Sequence, residues 1–124
     1  NYLIGPQAFR ELFLPEIASR AASAGRSIFH LDGPAATVHI DALLDTPQLT
    51  AIQYQPGAGN SALAKIDMLK KIQEKGFALQ VCTPADEALA VCDRLDPKSL
   101  CLLVQDAQSN DQLLSLYEEV IRRF

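Results

Sequence analysis

An α/β fold of consecutive parallel strand-helix units is what this sequence predicts, on three observations. Short apolar runs recur at residues 27–31, 49–54, 77–82 and 100–105, and helical periodicity follows each of them. Glycine or proline punctuates the joints, as at Asp32-Gly33-Pro34, Gly76 and Asp96-Pro97. The chain has 124 residues, 48% of them hydrophobic and 21% charged, enough for one core of this kind.

Each element has its own local reason. The leading segment reads as a helix because Phe9, Leu12, Phe13, Ile17, Ala21 and Ala24 recur at steps of three and four, leaving Arg10, Glu11, Glu16 and Arg20 for solvent. Pro15 interrupts it. Proline disfavours helix at the residue before it, so a kink or restart is expected there, and Gly25 closes the helix. The first strand, 27–31, ends in Asp-Gly-Pro, which neither strand nor helix continues. Residues 35–44 form a short helix that stops at Asp45-Thr46-Pro47. The second strand, 49–54, empties into a turn-rich loop, 55–60. Ser61 then caps a helix with Leu63, Ile66, Leu69 and Ile72 on one side and the solvated charges of Lys65, Lys70, Lys71 and Glu74 on the other.

After the third strand, 77–82, Thr83 is expected to cap a helix with Pro84 in its first position and Asp86 in its first turn. Ala88, Val91, Cys92 and Leu95 form the inward side of that helix. The fourth strand, 100–105, leads through the capping box Ser109-Asn110-Asp111-Gln112 into a last helix, with Leu113, Tyr117, Val120, Ile121 and Phe124 inward.

Strands this apolar, separated by helices, are expected to be parallel and covered on both faces. Two closures fit about four such units after a leading helix. One is an open, doubly wound sheet. The other is half of a (βα)8 TIM barrel, a fold of about 250 residues. A half-barrel leaves two unpaired strand edges, so it needs its missing half or a second copy of itself. The chain starts at Asn1 without an initiator Met, and the expectation is a piece of a longer protein.

Composition narrows the partners. A net charge of -4 favours neither nucleic acid nor an anionic membrane. No apolar run reaches the roughly 18 residues of a membrane span, and the N-terminus lacks a secretion signal, so a soluble, cytoplasmic protein is expected. The three cysteines, Cys82, Cys92 and Cys101, are odd in number and lack C-x-x-C spacing, which suits reduced thiols.

The chemistry concentrates at the end of the first strand. His30 and Asp32 are two residues apart, so their side chains leave the same face of a strand that empties into a loop. In parallel α/β proteins that end is where ligands bind. The pair can act as acid and base, as metal ligands, or as a bonded pair that fixes the turn. Cys82 or Asp106, at other strand ends, could complete a metal site, while Cys82 alone more often serves as a small buried hydrophobe. Gln53 and Gln105 are polar near the ends of apolar strands, consistent with hydrogen bonds to a ligand.

The loop Gly57-Ala58-Gly59-Asn60-Ser61-Ala62 satisfies G-x-G-x-x-A. A dinucleotide site would also need an acid at the end of the next strand, some 20 residues on. That place is Val81-Cys82-Thr83, without one. The loop is expected instead to present backbone N–H groups to an anionic ligand group, or to serve as a tight turn. His39 and Asp41, on different faces of a helix, favour solvent or a local cap.

The runs Phe29-His30-Leu31-Asp32-Gly33-Pro34, His39-Ile40-Asp41-Ala42-Leu43-Leu44 and Ala51-Ile52-Gln53-Tyr54-Gln55-Pro56-Gly57-Ala58-Gly59 resemble the uroporphyrinogen decarboxylase-like superfamily. The likeness is to the branch of uncharacterised and methyltransferase-like members, and it extends over about residues 7–76. It implies a (βα)8 barrel of which this chain is the C-terminal half, with the site at the strand C-terminal ends. In the zinc-dependent corrinoid methyltransferases of the superfamily, the strand matching 28–32 carries His-x-Cys. Here the His is kept as His30 and Asp32 stands in the Cys position. The Gly-His-Gly or Gly-Cys-Gly that follows the last strand in those enzymes is replaced here by Gln105-Asp106-Ala107.

The expected function is therefore part of a decarboxylase or methyltransferase acting on a small or tetrapyrrole- or corrinoid-related substrate, with a corrinoid protein as one candidate partner. His30 and Asp32 are the expected catalytic pair. Gln53, Gly57, Gly59, Asn60, Gln105 and Asp106 are the expected substrate contacts, and His30, Asp32 and Cys82 the expected ligands of a zinc ion. The alternative is a non-catalytic binding or assembly module with a vestigial site.

Overall fold

The computed structural model describes residues 3–123. Its centre is one four-stranded parallel sheet in the order β1-β2-β3-β4: β1 Ile28–Asp32, β2 Ala51–Gln55, β3 Ala78–Pro84 and β4 Leu100–Gln105. A doubly wound sheet reverses its strand order partway, and this one does not. Crossovers between sequential parallel neighbours take the right-handed path, which sends every connecting helix to the same face.

Burial follows that geometry. Leu31, Ile52, Tyr54, Leu79 and Val81, all on the helix-facing side, are at most 1% exposed. Residues on the opposite side alternate with them. Ile28, His30 and Asp32 on β1, and Cys101, Leu103 and Gln105 on β4, are exposed. The expectation of a sheet covered on both faces therefore fails among the described residues, because sequential strand order leaves no helix for the second face.

The helices are α1 Pro6–Ala8, α2 Leu14–Ala24, α3 Ile40–Leu44, α4 Ile66–Glu74, α5 Ala88–Cys92 and α6 Asn110–Arg123. Between α1 and α2 the chain keeps coiling through a π-helical turn, Phe9–Phe13, where Leu14 N–H donates to Phe9 O. This is the break expected at Pro15. The turn inserts one residue into the helical repeat, rotating α2 relative to α1 by about 100°. Phe9 and Ala21 reach the core, but Leu12 stays 70% exposed and Phe13 43%.

The expected start of the helix after β3 also differs. Thr83 and Pro84 are strand residues, paired with Val104 and Gln105, and α5 begins only at Ala88. Proline pushes the residue before it toward extended backbone, so Thr83 stays in the ladder rather than capping a helix. Ser61 does cap as expected, its Oγ accepting from Leu63 N–H at 3.1 Å, and Ser109 Oγ accepts from Gln112 N–H at 3.2 Å.

The last helix is held more loosely than its pattern suggests. No α6 residue is buried; Leu113 is 40%, Ile121 55% and Tyr117 63% exposed. Leu113 and Tyr117 border a cavity of about 620 Å³ between α6 and the Leu100, Leu102 and Val104 side of β4. The expected inward Phe124 lies outside the described residues. No described helix is long and apolar enough to cross a membrane.

Candidate functional site

The uncovered face of the sheet carries a polar row. His30, Gln53 and Gln80 are each the third residue of their strand, and the ladder aligns His30 with Gln53, Gln53 with Gln80 and Gln80 with Cys101. Neighbouring strands lie about 4.8 Å apart, a distance that adjacent carboxamides bridge. His30 Nδ1 sits 2.5 Å from Gln53 Oε1. Gln53 Nε2 donates to Gln80 Oε1 at 2.5 Å, and Gln80 Nε2 donates to Cys101 Sγ at 3.5 Å. One hydrogen-bonded chain thus runs across all four strands. It engages Nδ1 of an exposed imidazole and leaves Nε2 outside the row.

One step toward the strand ends, Asp32 aligns with Gln55 and Cys82 with Leu103. Asp32 is exposed and shares the face of His30, as the two-residue spacing requires. Beyond this level the strands open into a cavity of about 460 Å³. It gathers Gly57, Gly59 and Asn60 from the loop after β2, Cys82 from β3, and Gln105 and Asp106 from the end of β4. Six of the expected site residues therefore converge here. His30, Asp32 and Gln53 belong to the adjoining open face instead.

The loops are built for this mouth. Gly33 has φ 78 and ψ 159, and Gly57 has φ 82, backbone that L side chains adopt only under strain. Gly33 N–H donates to Gln55 O at 2.8 Å, tying the loop after β1 to the end of β2. Asp106 is the one non-glycine residue at positive φ among those described, with φ 57, a conformation that Asp tolerates better than most residues. Asn60 engages its Nδ2 with Ala58 O at 3.2 Å, within its own turn. Ser61 Oγ donates to Glu87 Oε2 at 2.5 Å across the cavity floor.

Gln55 Oε1 also lines this region, buried and without a hydrogen-bond partner among the described residues. Such an acceptor costs roughly 1–3 kcal/mol while unmade.

The expected zinc set does not assemble. No three His, Cys, Asp or Glu side chains among the described residues form a group that could hold a metal ion. Cys82 is 3% exposed. Burial, and then the neighbouring Cys101, push its thiol above the ordinary range, so it is protonated at neutral pH and not a ready ligand. His30 Nε2 and Asp32 remain as two donors on one strand.

His39 is placed differently from expectation. It is 1% exposed and stacks on Phe9, with ring centroids 4.2 Å apart, so it faces the core rather than solvent. Asp41 is on the surface, as its phase required, accepting a 2.7 Å bond from Lys71 Nζ.

Sequence reasoning missed Gln80, Cys101 and Gln55. A signal was present: Ile28-Phe29-His30, Ala51-Ile52-Gln53 and Ala78-Leu79-Gln80 each place two apolar residues before one polar residue at a strand start. Comparison with known protein families, curated proteins and solved structures finds no match to this chain.

Proposed function

We propose that this chain is the C-terminal half of a (βα)8 barrel of the uroporphyrinogen decarboxylase-like kind. The barrel acts on a small or tetrapyrrole- or corrinoid-related molecule by decarboxylation or methyl transfer. The observation that carries this reading is the hydrogen-bonded row His30, Gln53, Gln80 and Cys101, on the sheet face that no described helix covers. In a barrel of sequential parallel strands that face is the interior, and the strand C-terminal ends form the active mouth. His30 Nε2 takes or gives a proton at the substrate, and Asp32 on the same face stabilises the imidazolium that forms. No step is assigned to a metal.

The test is a paired assay on the full-length protein: carbon dioxide release from uroporphyrinogen, and demethylation of methylcobalamin. Turnover of either that falls about 10²- to 10⁴-fold in His30→Asn supports the enzyme. Neither activity in a folded protein removes it.

A second reading is favoured by the edges. β1 and β4 each pair on one side only, and Ile28 and Leu103 on the uncovered face are 54% and 43% exposed. Unpaired edges and exposed apolar side chains suit a non-catalytic assembly module joined to the missing half-barrel or to a second copy. A monomeric mass for this chain, stable in solution, would contradict both the half-barrel and the module.

A further inference from the structure

We propose that Gln80 is a positioning residue for His30, acting through Gln53. The two carboxamides fix the neutral imidazole as its Nδ1–H tautomer, so that Nε2 meets a ligand as a bare acceptor. The site then selects a ligand that brings N–H or O–H donors. This rests on the reading of His30 as the group presented to a ligand.

The argument is one of polarity along the row. A carboxamide has one accepting end and one donating end, whereas either nitrogen of a neutral imidazole can hold the proton. Gln53 turns its Oε1 to His30, and an oxygen can only accept, so the proton is on Nδ1. Gln53 alone could turn over to offer its Nε2. Doing so would set its oxygen against Gln80 Oε1, two acceptors at the 2.5 Å that now separates a donor from an acceptor. Gln80 would have to turn over with it, exchanging the bond its Nε2 gives Cys101 Sγ at 3.5 Å for one accepted from the Cys101 thiol. The row keeps its direction or reverses as a whole, and polarised chains of this kind reinforce each bond. Stacked carboxamide ladders hold strands together by the same geometry.

The surroundings ask for the same ligand chemistry. Gln55 Oε1 is a buried acceptor with no partner among the described residues. Asp32 and Asp106 add carboxylates, and no described Lys or Arg lines the row or the adjoining cavity. These acceptors suit a ligand whose part seated at the mouth carries N–H or O–H groups.

The experiment reads the tautomer directly, by long-range ¹H–¹⁵N correlation in the full-length protein labelled at histidine, well above the range in which imidazole titrates. The His30 signals are identified by their loss in His30→Asn. The wild type is expected to show a protonated Nδ1 and a pyridine-type Nε2. Gln80→Leu is expected to lose the pyridine-type Nε2 signal as the Nε2–H form appears. Gln80→Glu, whose carboxylate still accepts from Gln53 Nε2, is expected to retain it. A wild-type Nε2–H tautomer, or a Gln80→Leu spectrum unchanged from wild type, overturns the proposal. Should Gln80→Leu fail to fold, Gln80→Lys, whose side chain can only donate to Gln53, is expected to turn Gln53 over and give the Nε2–H form, and an unchanged Nδ1–H tautomer there overturns the proposal. Because no turnover is measured, an Nδ1–H tautomer in a protein inactive toward both assay substrates would sink the enzymatic reading alone.

Discussion

Phe9 and His39 stack nearly parallel, ring centroids 4.2 Å apart and planes inclined by 20°. The contact joins the π-helical turn to the segment that leads from β1 into α3, and both rings are at most 2% exposed. It therefore fastens the leading helix to the core at the point where that helix is least regular. Phe9→Ala is expected to destabilise the fold by about 3–5 kcal/mol, the cost of emptying a buried aromatic site. Urea denaturation checks this. A loss below about 1 kcal/mol would show that the leading helix is not fastened there.

The Lys71 ammonium holds the Asp41 carboxyl below its usual range, first by a hydrogen bond and then by charge. The folded-state value lies under the unfolded value of about 3.9. The stabilisation is therefore full above that pH and is lost as pH falls through the folded-state value. Both side chains are about half exposed or more, so Lys71→Met should cost less than about 1 kcal/mol at neutral pH. The difference from wild type should vanish in acid, as thermal melts across pH will show.

The three thiols differ in environment. Cys101 is exposed, while Cys82 and Cys92 are buried and desolvation raises both of their pKa values. The thiolate is the reactive form. A chromogenic disulfide reagent at neutral pH should titrate one thiol rapidly and the other two only with unfolding. Rapid reaction in Cys101→Ser would refute this ordering.

Gly33, at φ 78 and ψ 159, occupies a region essentially reserved for glycine. Gly33→Ala should cost about 1–3 kcal/mol even though a Cβ there meets no atom within 4 Å. The added methyl group leaves contacts unchanged, so the loss measured by denaturant midpoint isolates backbone strain.

Much of the architecture was legible because apolar periodicity and glycine placement act locally. β4 was bounded to the residue, Ser61 and Ser109 cap as their side chains allow, and the His30 and Asp32 face follows from strand alternation. What failed depends on tertiary geometry. Thr83-Pro84 carries the local marks of a helix start, but pairing with Val104 and Gln105 keeps it in the sheet. His39 has the composition of a surface residue, and only the approach of Phe9 makes it part of the core. The polar row needed the register of four strands, which no single segment encodes. His30 and Gln53 stood out singly, but Gln80, Cys101 and the connection among the four did not.

The bond from Gly33 N–H to Gln55 O carries the β1–β2 pairing into the loops and ties the two rims of the mouth together. A displacement of the 55–60 loop that carries Gln55 O away therefore breaks this bond, at a cost of about 0.5–1.5 kcal/mol.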